Sequence, residues 1–412
     1  MRCIRMKPIS AIGISDNGRY FVDRQGSPIF WLGDTLWELF RCFTPETALP
    51  ILRNRQAKGF NIILIMLTGV DHVHVNPELG KPFVNIRGDA PWVNGDPLNP
   101  DERYFQHIDT MIRLGEQTGQ IFVVGIYHQW HRDLITLSKA RPWARWIAER
   151  YRDVPNLIWS MYPRAEPDYV PVCRELAAGL QEGDQGTHLI SVHPDPSVAS
   201  SSFMHTEPWL AFNMIQTCID YEQIYDTVTA DYNRIPVKPV IMAEGGYEGV
   251  EFGRLQTAYE IRQQAYWTQF AGGYHVYGHN DAWINPERWQ EWIDAPGAQD
   301  MQRFREIITA IDDWWDFVPD PCLIMAEASS EGQPTVAGRA TDGRWILAYL
   351  SEPGTVTLRL TDAVSGSRYR VEVINPATGE KLPAMEYFPQ VAHTVTTPVG
   401  WQDTLIYIEA SP

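Results

Sequence analysis

The chain has 412 residues, with 34 Lys and Arg against 51 Asp and Glu and a formal net charge of −17. That balance excludes the basic footprint of a nucleic-acid binder and the polybasic face of a membrane-surface protein, while 44% hydrophobic content excludes wholesale disorder. The length accommodates a (β/α)8 barrel of ~250 residues plus a smaller domain, and 16 Trp with 18 Tyr are more amphipathic rings than a core alone needs.

The first segment reads as a hairpin, with turns at Asp16-Asn17-Gly18 and Arg24–Pro28 around the alternating Arg19–Asp23. A short apolar run, Ile29–Gly33, ends at Asp34. Thr44-Pro45-Glu46 then supplies helix N-cap chemistry, and Lys58-Gly59 a helix end. The alternation continues with apolar runs at Asn61–Leu67, Ile121–Tyr127, Asn156–Met161, Leu189–Val192, Leu210–Ile215, Pro239–Ala243 and Gly273–Tyr277. Helical stretches fall near Pro100–Gly119, Arg141–Arg152, Pro167–Glu182, Tyr221–Arg234, Arg254–Phe270 and Asp300–Trp315. Short apolar runs alternating with helices predict a parallel sheet covered on both faces. Eight such units are the size of a (β/α)8 TIM barrel. A doubly wound open sheet competes, but neither GxGxxG nor GxxxxGK[ST] is present to support nucleotide binding.

Pro319-Asp320-Pro321 marks a boundary, giving an expected barrel domain over 1–318 and a second domain over 319–412. Beyond it, Thr335–Arg339, Trp345–Leu350, Thr355–Leu360, Tyr369–Ile374 and Leu405–Glu409 read as short strands. Asp342-Gly343, Pro353-Gly354, Ser365-Gly366 and Thr378-Gly379 punctuate them, which predicts a β-sandwich. Cys3, Cys42, Cys173, Cys218 and Cys322 are odd in number and widely spaced, so neither a disulfide framework nor a CxxC zinc site is expected. No apolar h-region of ~7–15 residues follows the first basic residues, and no run approaches the ~18 residues of a membrane span. The expected location is cytoplasmic, or secreted if a native leader precedes this sequence.

Barrel enzymes carry their chemistry at the C-terminal ends of the strands. The residues there are Asp34, Thr35 and Trp37; Thr68, Asp71, His72 and His74; Tyr127, His128, Trp130 and His131; Tyr162, Arg164, Glu166 and Asp168; His193 and Asp195; Asn213 and Gln216; Glu244, Tyr247 and Glu248; and His279, Asn280, Asp281 and Trp283. Lysine is absent and arginine appears once, so phosphate is a poor substrate. Indole and phenol faces suit the C–H faces of sugars, and Asp, Asn, Gln and His suit their hydroxyls. The bland reading of any single Trp is core packing.

Glycoside hydrolysis needs two carboxyl groups flanking the bond. Glu244 is one candidate: it ends the apolar Pro239–Ala243 and precedes Gly245-Gly246, which would leave its surroundings open. Its structural alternative is a buried ion pair, with Arg262 as partner. Glu166 is the candidate for the second carboxylate, with Asp168, Asp34 and Asp281 competing and a surface loop residue as the bland alternative.

Phe30–Phe40 (FWLGDTLWELF), Lys58-Gly59-Phe60-Asn61, Phe212–Gln216 (FNMIQ), Lys238–Gly249 (KPVIMAEGGYEG) and Arg262–Trp267 with Tyr277–Asn280 resemble, in order, motifs of the apiosidase-like glycoside hydrolases. Asn375–Gly379 resembles the β-sandwich often appended to these barrels and sometimes named for collagen binding. The resemblance implies a (β/α)8 barrel, retaining hydrolysis, Glu244 as nucleophile, and release of apiose, a branched furanose, from a plant pectin. One departure stands out. The family's fourth strand leads through two glycines to an Asp acid/base, whereas this chain has Tyr162-Pro163-Arg164 there, with Glu166 two residues on.

The resulting expectation is a retaining glycosidase acting on plant-type oligo- or polysaccharides, furanosides above all. Glu244 and Glu166 are its catalytic pair. Asp34, Trp37, His128, His193, Asn213, Gln216, Tyr247, His279, Asp281 and Trp283 form the sugar-binding shell, and the long loop carrying Trp92 forms one wall. No cofactor, no metal, no nucleic acid and no membrane partner is expected. Two alternatives stand beside it. One is a catalytically inactive carbohydrate-binding barrel, motivated by Arg164. The other is a metal-dependent hydrolase using His72 and His74 with His128, His193 and Asp281.

Overall fold

The computed structural model describes residues 12–70, 84–128, 131–162, 168–252, 254–329 and 333–411. A three-stranded antiparallel sheet comes first, Ile12–Ile14, Phe21–Asp23 and Pro28–Ile29, as the turn residues dictate. The barrel strands are β1 (Gly33–Thr35), β2 (Ile62–Met66), β3 (Ile121–Gly125), β4 (Leu157–Met161), β5 (Ile190–Val192), β6 (Asn213–Gln216), β7 (Val240–Glu244) and β8 (Tyr274–Tyr277). Each pairs in parallel with the next from β1 to β5 and from β6 to β8, and β8 pairs in parallel with β1. The seam between β5 and β6 is closed by a parallel bridge from Ile190 to Leu210 and by Ala211 N donating to Ile190 O at 2.8 Å. A two-residue strand, Val198–Ala199, adds antiparallel to β6.

Among the described residues, seven helices of nine or more residues wrap the ring: α1 (Pro45–Ala57), α2 (Glu102–Gln117), α3 (Leu137–Tyr151), α4 (Val170–Asp184), α5 (Ile224–Tyr232), α6 (Ala258–Phe270) and α7 (Pro296–Thr309). After β5 only a single turn, Ser201–Met204, takes the helix position. α1 starts where Thr44 caps it with Pro45 at the first position, as read from the sequence. The continuous apolar strands reflect burial on both faces. Ile62, Leu64 and Met66 share a cluster with Val123 and Ile158. The alternating Ile63, Ile65, Phe122 and Val124 pack with Phe105, Ile108 and Trp143 of the outer helices.

The C-terminal region is an antiparallel sandwich. Its six-stranded sheet runs in the order Phe317–Pro319, Thr335–Ala340, Trp345–Leu350, Thr404–Ala410, Tyr369–Ile374, Met385–Tyr387, and its three-stranded sheet joins Ile324–Ser329, Gly354–Arg359 and Ala392–Thr396. Trp345–Leu350 is buried at all six positions rather than alternating. Ile346, Ala348 and Leu350 face the sandwich core, while Trp345, Leu347 and Tyr349 belong to one cluster with Tyr266, Trp267 and Phe270 of α6. The larger sheet thus has two apolar faces and shares a core with the barrel.

Candidate active site

The strand β7 is buried from Val240 to Ala243 and delivers Glu244 to its C-terminal end. Across the β6–β7 pair the register slips between Ile215 and Gln216, so that Gln216 stands opposite Glu244 at the mouth. The Glu244 side chain is 13% exposed. Burial pushes its carboxyl up to about 7, against the hydrogen-bonding Tyr247 hydroxyl and Gln216 amide beside it, which favour the charged form. His193, just past β5, brings Nε2 to 3.4 Å from Glu244 Oε2. Burial pushes this imidazole down to about 3.

These groups open on a cavity of about 140 Å³ lined by Trp37, Met66, Val70, His128, Tyr162, Pro196, Gln216, Glu244, Tyr247 and Trp283. The indole N–H of Trp37 donates to the Tyr247 hydroxyl at 2.8 Å, and Tyr162 Oη donates to Gln216 Oε1 at 3.4 Å. The Tyr162 ring meets His193 edge-on at 4.4 Å and His128 at 4.9 Å. Val70 is held at the rim because its N–H donates to buried Glu38 at 2.6 Å, and Glu38 also takes Arg41 Nε at 2.5 Å. Burial pushes the nearby Cys218 thiol up to about 11, and the charge of Glu244 acts in the same direction.

Of the expected shell, Trp37, His128, Gln216, Tyr247 and Trp283 line the cavity, and His193 stands against Glu244. Glu166, Arg164, His72, His74 and Trp130 lie outside the described residues. Asp34 is placed differently from the expectation: its carboxylate takes Arg55 Nε of α1 at 2.5 Å, on the helix side of β1. Asn213 also departs from it. Asn213 pairs in register with Val240 at the start of β7 and bonds His205 Nδ1 at 3.2–3.3 Å. With ~3.3 Å of rise per residue, three residues separate it from the mouth where Gln216 sits. His279 stacks on Trp292 and accepts from Asp281 N at 3.1 Å, while Asp281 takes Asn285 Nδ2 at 2.7 Å; these two organise the turn that carries Trp283. Asp168 is exposed.

Three further readings are corrected. Arg262 is paired with Asp300 and Asp403, not with Glu244. Gly245 and Gly246 do not open the pocket: a Cβ on Gly245 would lie 2.2 Å from Gln264 Oε1 and one on Gly246 2.9 Å from Gln256 Oε1, so both glycines admit close packing from behind. Gln264 Oε1 in turn accepts the Gly246 N–H at 3.0 Å. Trp92 packs edge-on against Trp143 of α3 within the outer core, so it is no wall of the site. Most tryptophans have the same bland role; Trp31, Trp143, Trp159, Trp267 and Trp292 are fully buried. Tyr162, Met66, Val70 and Pro196 line the cavity beyond the expected shell. Tyr162 carried a signal, a bulky ring at a strand end where the resemblance has glycine.

Among the described residues, no group of three or more His, Cys, Asp or Glu side chains is gathered to hold a metal ion. No described helix is long and apolar enough to cross a membrane.

In overall shape the chain is similar to a solved glycoside hydrolase at 23% identity and TM-score 0.86, over 98% of this chain and 97% of that one. It is equally similar to a family 5 glycoside hydrolase from Bacteroides vulgatus, at 22% identity and TM-score 0.86 over 98% and 94%. A maltogenic α-amylase from Thermotoga neapolitana aligns at 9% identity and TM-score 0.53 over 93% and 99%. At such identities these likenesses establish the barrel fold. No curated protein matches in sequence. Residues 15–316 match the family described as "Apiosidase-like, catalytic domain", and with that match spanning most of the chain, the protein belongs to the apiosidase-like glycoside hydrolases.

Proposed function

We propose that this glycoside hydrolase acts with retention, releasing a terminal furanose such as apiose or arabinose from a plant-type oligo- or polysaccharide. The observation that carries the reading is Glu244, a largely buried carboxyl at the end of β7, facing a cavity walled by Trp37, Tyr162 and Trp283.

In this reading the ionised Glu244 attacks the anomeric carbon while Glu166 protonates the departing oxygen. Water, deprotonated by Glu166, then releases the sugar from the glycosyl ester. Gln216 and Tyr247 hold the Glu244 carboxylate in line, and the aromatic walls seat the ring. No cofactor takes part.

The test is hydrolysis of a panel of nitrophenyl furanosides and pyranosides, with the first-formed anomer followed by proton NMR. Retention on a furanoside is expected. Glu244→Gln and Glu166→Gln are each expected to lower kcat by ~10²–10⁴. If neither substitution slows any glycoside while sugar binding persists, the chain is a carbohydrate-binding barrel instead.

A further inference from the structure

The cavity does not explain the posture of His193. Its Nδ1 lies 3.0 Å from the carbonyl oxygen of Pro194. A carbonyl only accepts, so Nδ1 carries the N–H of the neutral ring and Nε2 is left bare. That bare nitrogen is the one facing Glu244 Oε2 at 3.4 Å. The ring is 2% exposed and is wedged by Tyr162 at 4.4 Å and Trp37 at 5.3 Å, both edge-on. It cannot swing away without breaking these contacts.

An ionised Glu244 would therefore set two acceptors against each other in a largely buried site. A single proton resolves the clash as O–H···N. Resting on the reading of Glu244 as nucleophile, we propose that His193 is a positioning residue whose bare Nε2 keeps one proton on Glu244 in the empty site. The same lone pair leaves Oε2 without a donor once that proton has gone to solvent. The proton lost is the carboxyl's own, and the imidazole stays neutral before and after. The consequence is a carboxylate whose Oε2, unlike the oxygen held by Tyr247 and Gln216, takes no hydrogen bond from the described residues at the moment of attack, obtained at the expense of activity in acid.

Other titratable groups surround the pair. Tyr247 and Tyr162 are held protonated by burial, and Cys218 titrates only in strong base. His128 stands beside His193 and Asp195 beside Tyr162. Because those last two could shape a pH profile of their own, the primary readout is specific to the His193 ring.

Long-range ¹H–¹⁵N spectra of the full chain, with the His193 signals assigned by their loss in His193→Gln, report which nitrogen is protonated. The expected pattern is an Nδ1–H ring whose Nε2 shift is displaced from the bare-nitrogen value, and which returns to that value in Glu244→Ala. An Nε2–H ring, or an Nε2 shift indifferent to Glu244→Ala, overturns the proposal. A second arm follows kcat/KM against pH on the furanoside cleaved best. His193→Gln offers the carboxylate an amide N–H, and its acid limb is expected to fall by at least one pH unit, whereas His193→Phe produces no such fall; coincident limbs for wild type and His193→Gln count against the proposal. If Glu244 is not the nucleophile, a 2-fluoro furanosyl inhibitor leaves it unlabelled while the spectra stay as expected, so the two readings fail separately.

Discussion

Arg262 of barrel helix α6 grips Asp403, the residue that leads into the last strand of the sandwich, through Nε at 2.7 Å and Nη2 at 3.0 Å. Its Nη1 reaches Asp300 of α7 at 2.5 Å, and Tyr349 donates its hydroxyl to Asp403 at 2.9 Å. All four side chains are buried. The same helix sends Trp267 Nε1 to Ser351 Oγ at 2.7 Å and stacks Tyr266 on Tyr349 at 4.4 Å. From its other side Gln264 holds the turn that follows Glu244. One helix thus ties the sandwich to the strand carrying the candidate nucleophile.

The first prediction is that the sandwich cannot be removed. Arg262→Met strands Asp403 and Asp300 without their cation, and breaking a buried pair in this way costs ~3–5 kcal/mol. Truncation before residue 319 would bare Tyr266, Trp267 and Phe270, so the barrel alone is expected to aggregate. Urea unfolding of the whole chain should show one transition by both tryptophan fluorescence and circular dichroism. Two separated transitions would mean that barrel and sandwich are independent.

The sequence made the barrel legible because its strands are buried on both faces and its helices have end signals such as Thr44-Pro45 and Lys58-Gly59. The site was legible where a side chain sits at the last inward position of a strand, as with Glu244 and Gln216. It was not legible at Asp34. One residue's shift along a strand turns a side chain from the cavity to the helices, and only the fold reveals that Arg55 waits there. Asn213 was misplaced for a related reason, since the apolar run Leu210–Ile215 does not show that β6 begins only at Asn213, three residues before its mouth. The sandwich strands Ile324–Ser329, Met385–Tyr387 and Ala392–Thr396 escaped because their exposed positions dilute the apolar pattern.

Tyr247 offers a second prediction. Its hydroxyl accepts from Trp37 and favours the ionised form of Glu244. Tyr247→Phe removes that support and leaves a buried indole N–H unmatched. A hydrogen bond to a charged group is worth ~1.5–3 kcal/mol, so kcat/KM should drop ~10–100-fold. The acid limb should move to higher pH, because the carboxyl loses a group that holds it down. An unchanged limb would show that Tyr247 does not act on Glu244.

Asp34 and Glu244 should separate stability from catalysis. Asp34→Asn leaves Arg55 as a buried charge without its counter-ion, with an expected cost of ~3–5 kcal/mol. Since Asp34 faces α1 rather than the cavity, kcat per folded molecule should stay close to wild type at low temperature. Active-site titration alongside a thermal melt checks both halves. A large fall in kcat with an unaltered melt would return Asp34 to the sugar-binding shell.

His275 makes acid stability a property of the barrel wall. It lies on β8, 2% exposed, and among the described residues neither ring nitrogen has a hydrogen-bond partner. Burial alone pushes it from 6.5 down to about 3. The unfolded chain therefore binds a proton below about 6.5 that the folded chain refuses until about 3. Stability contributed by the neutral ring is complete above pH 6.5 and is lost as pH falls through that window, by up to ~1.4 kcal/mol per pH unit. His131 and His193, each also pushed down to about 3, steepen the loss. His275→Leu keeps an apolar side chain in place and removes one proton from the balance. The fall of unfolding free energy between pH 6 and pH 4.5 should then be shallower by about one proton's worth. An identical slope in wild type and variant would mean that the His275 ring finds a partner, or water, in solution.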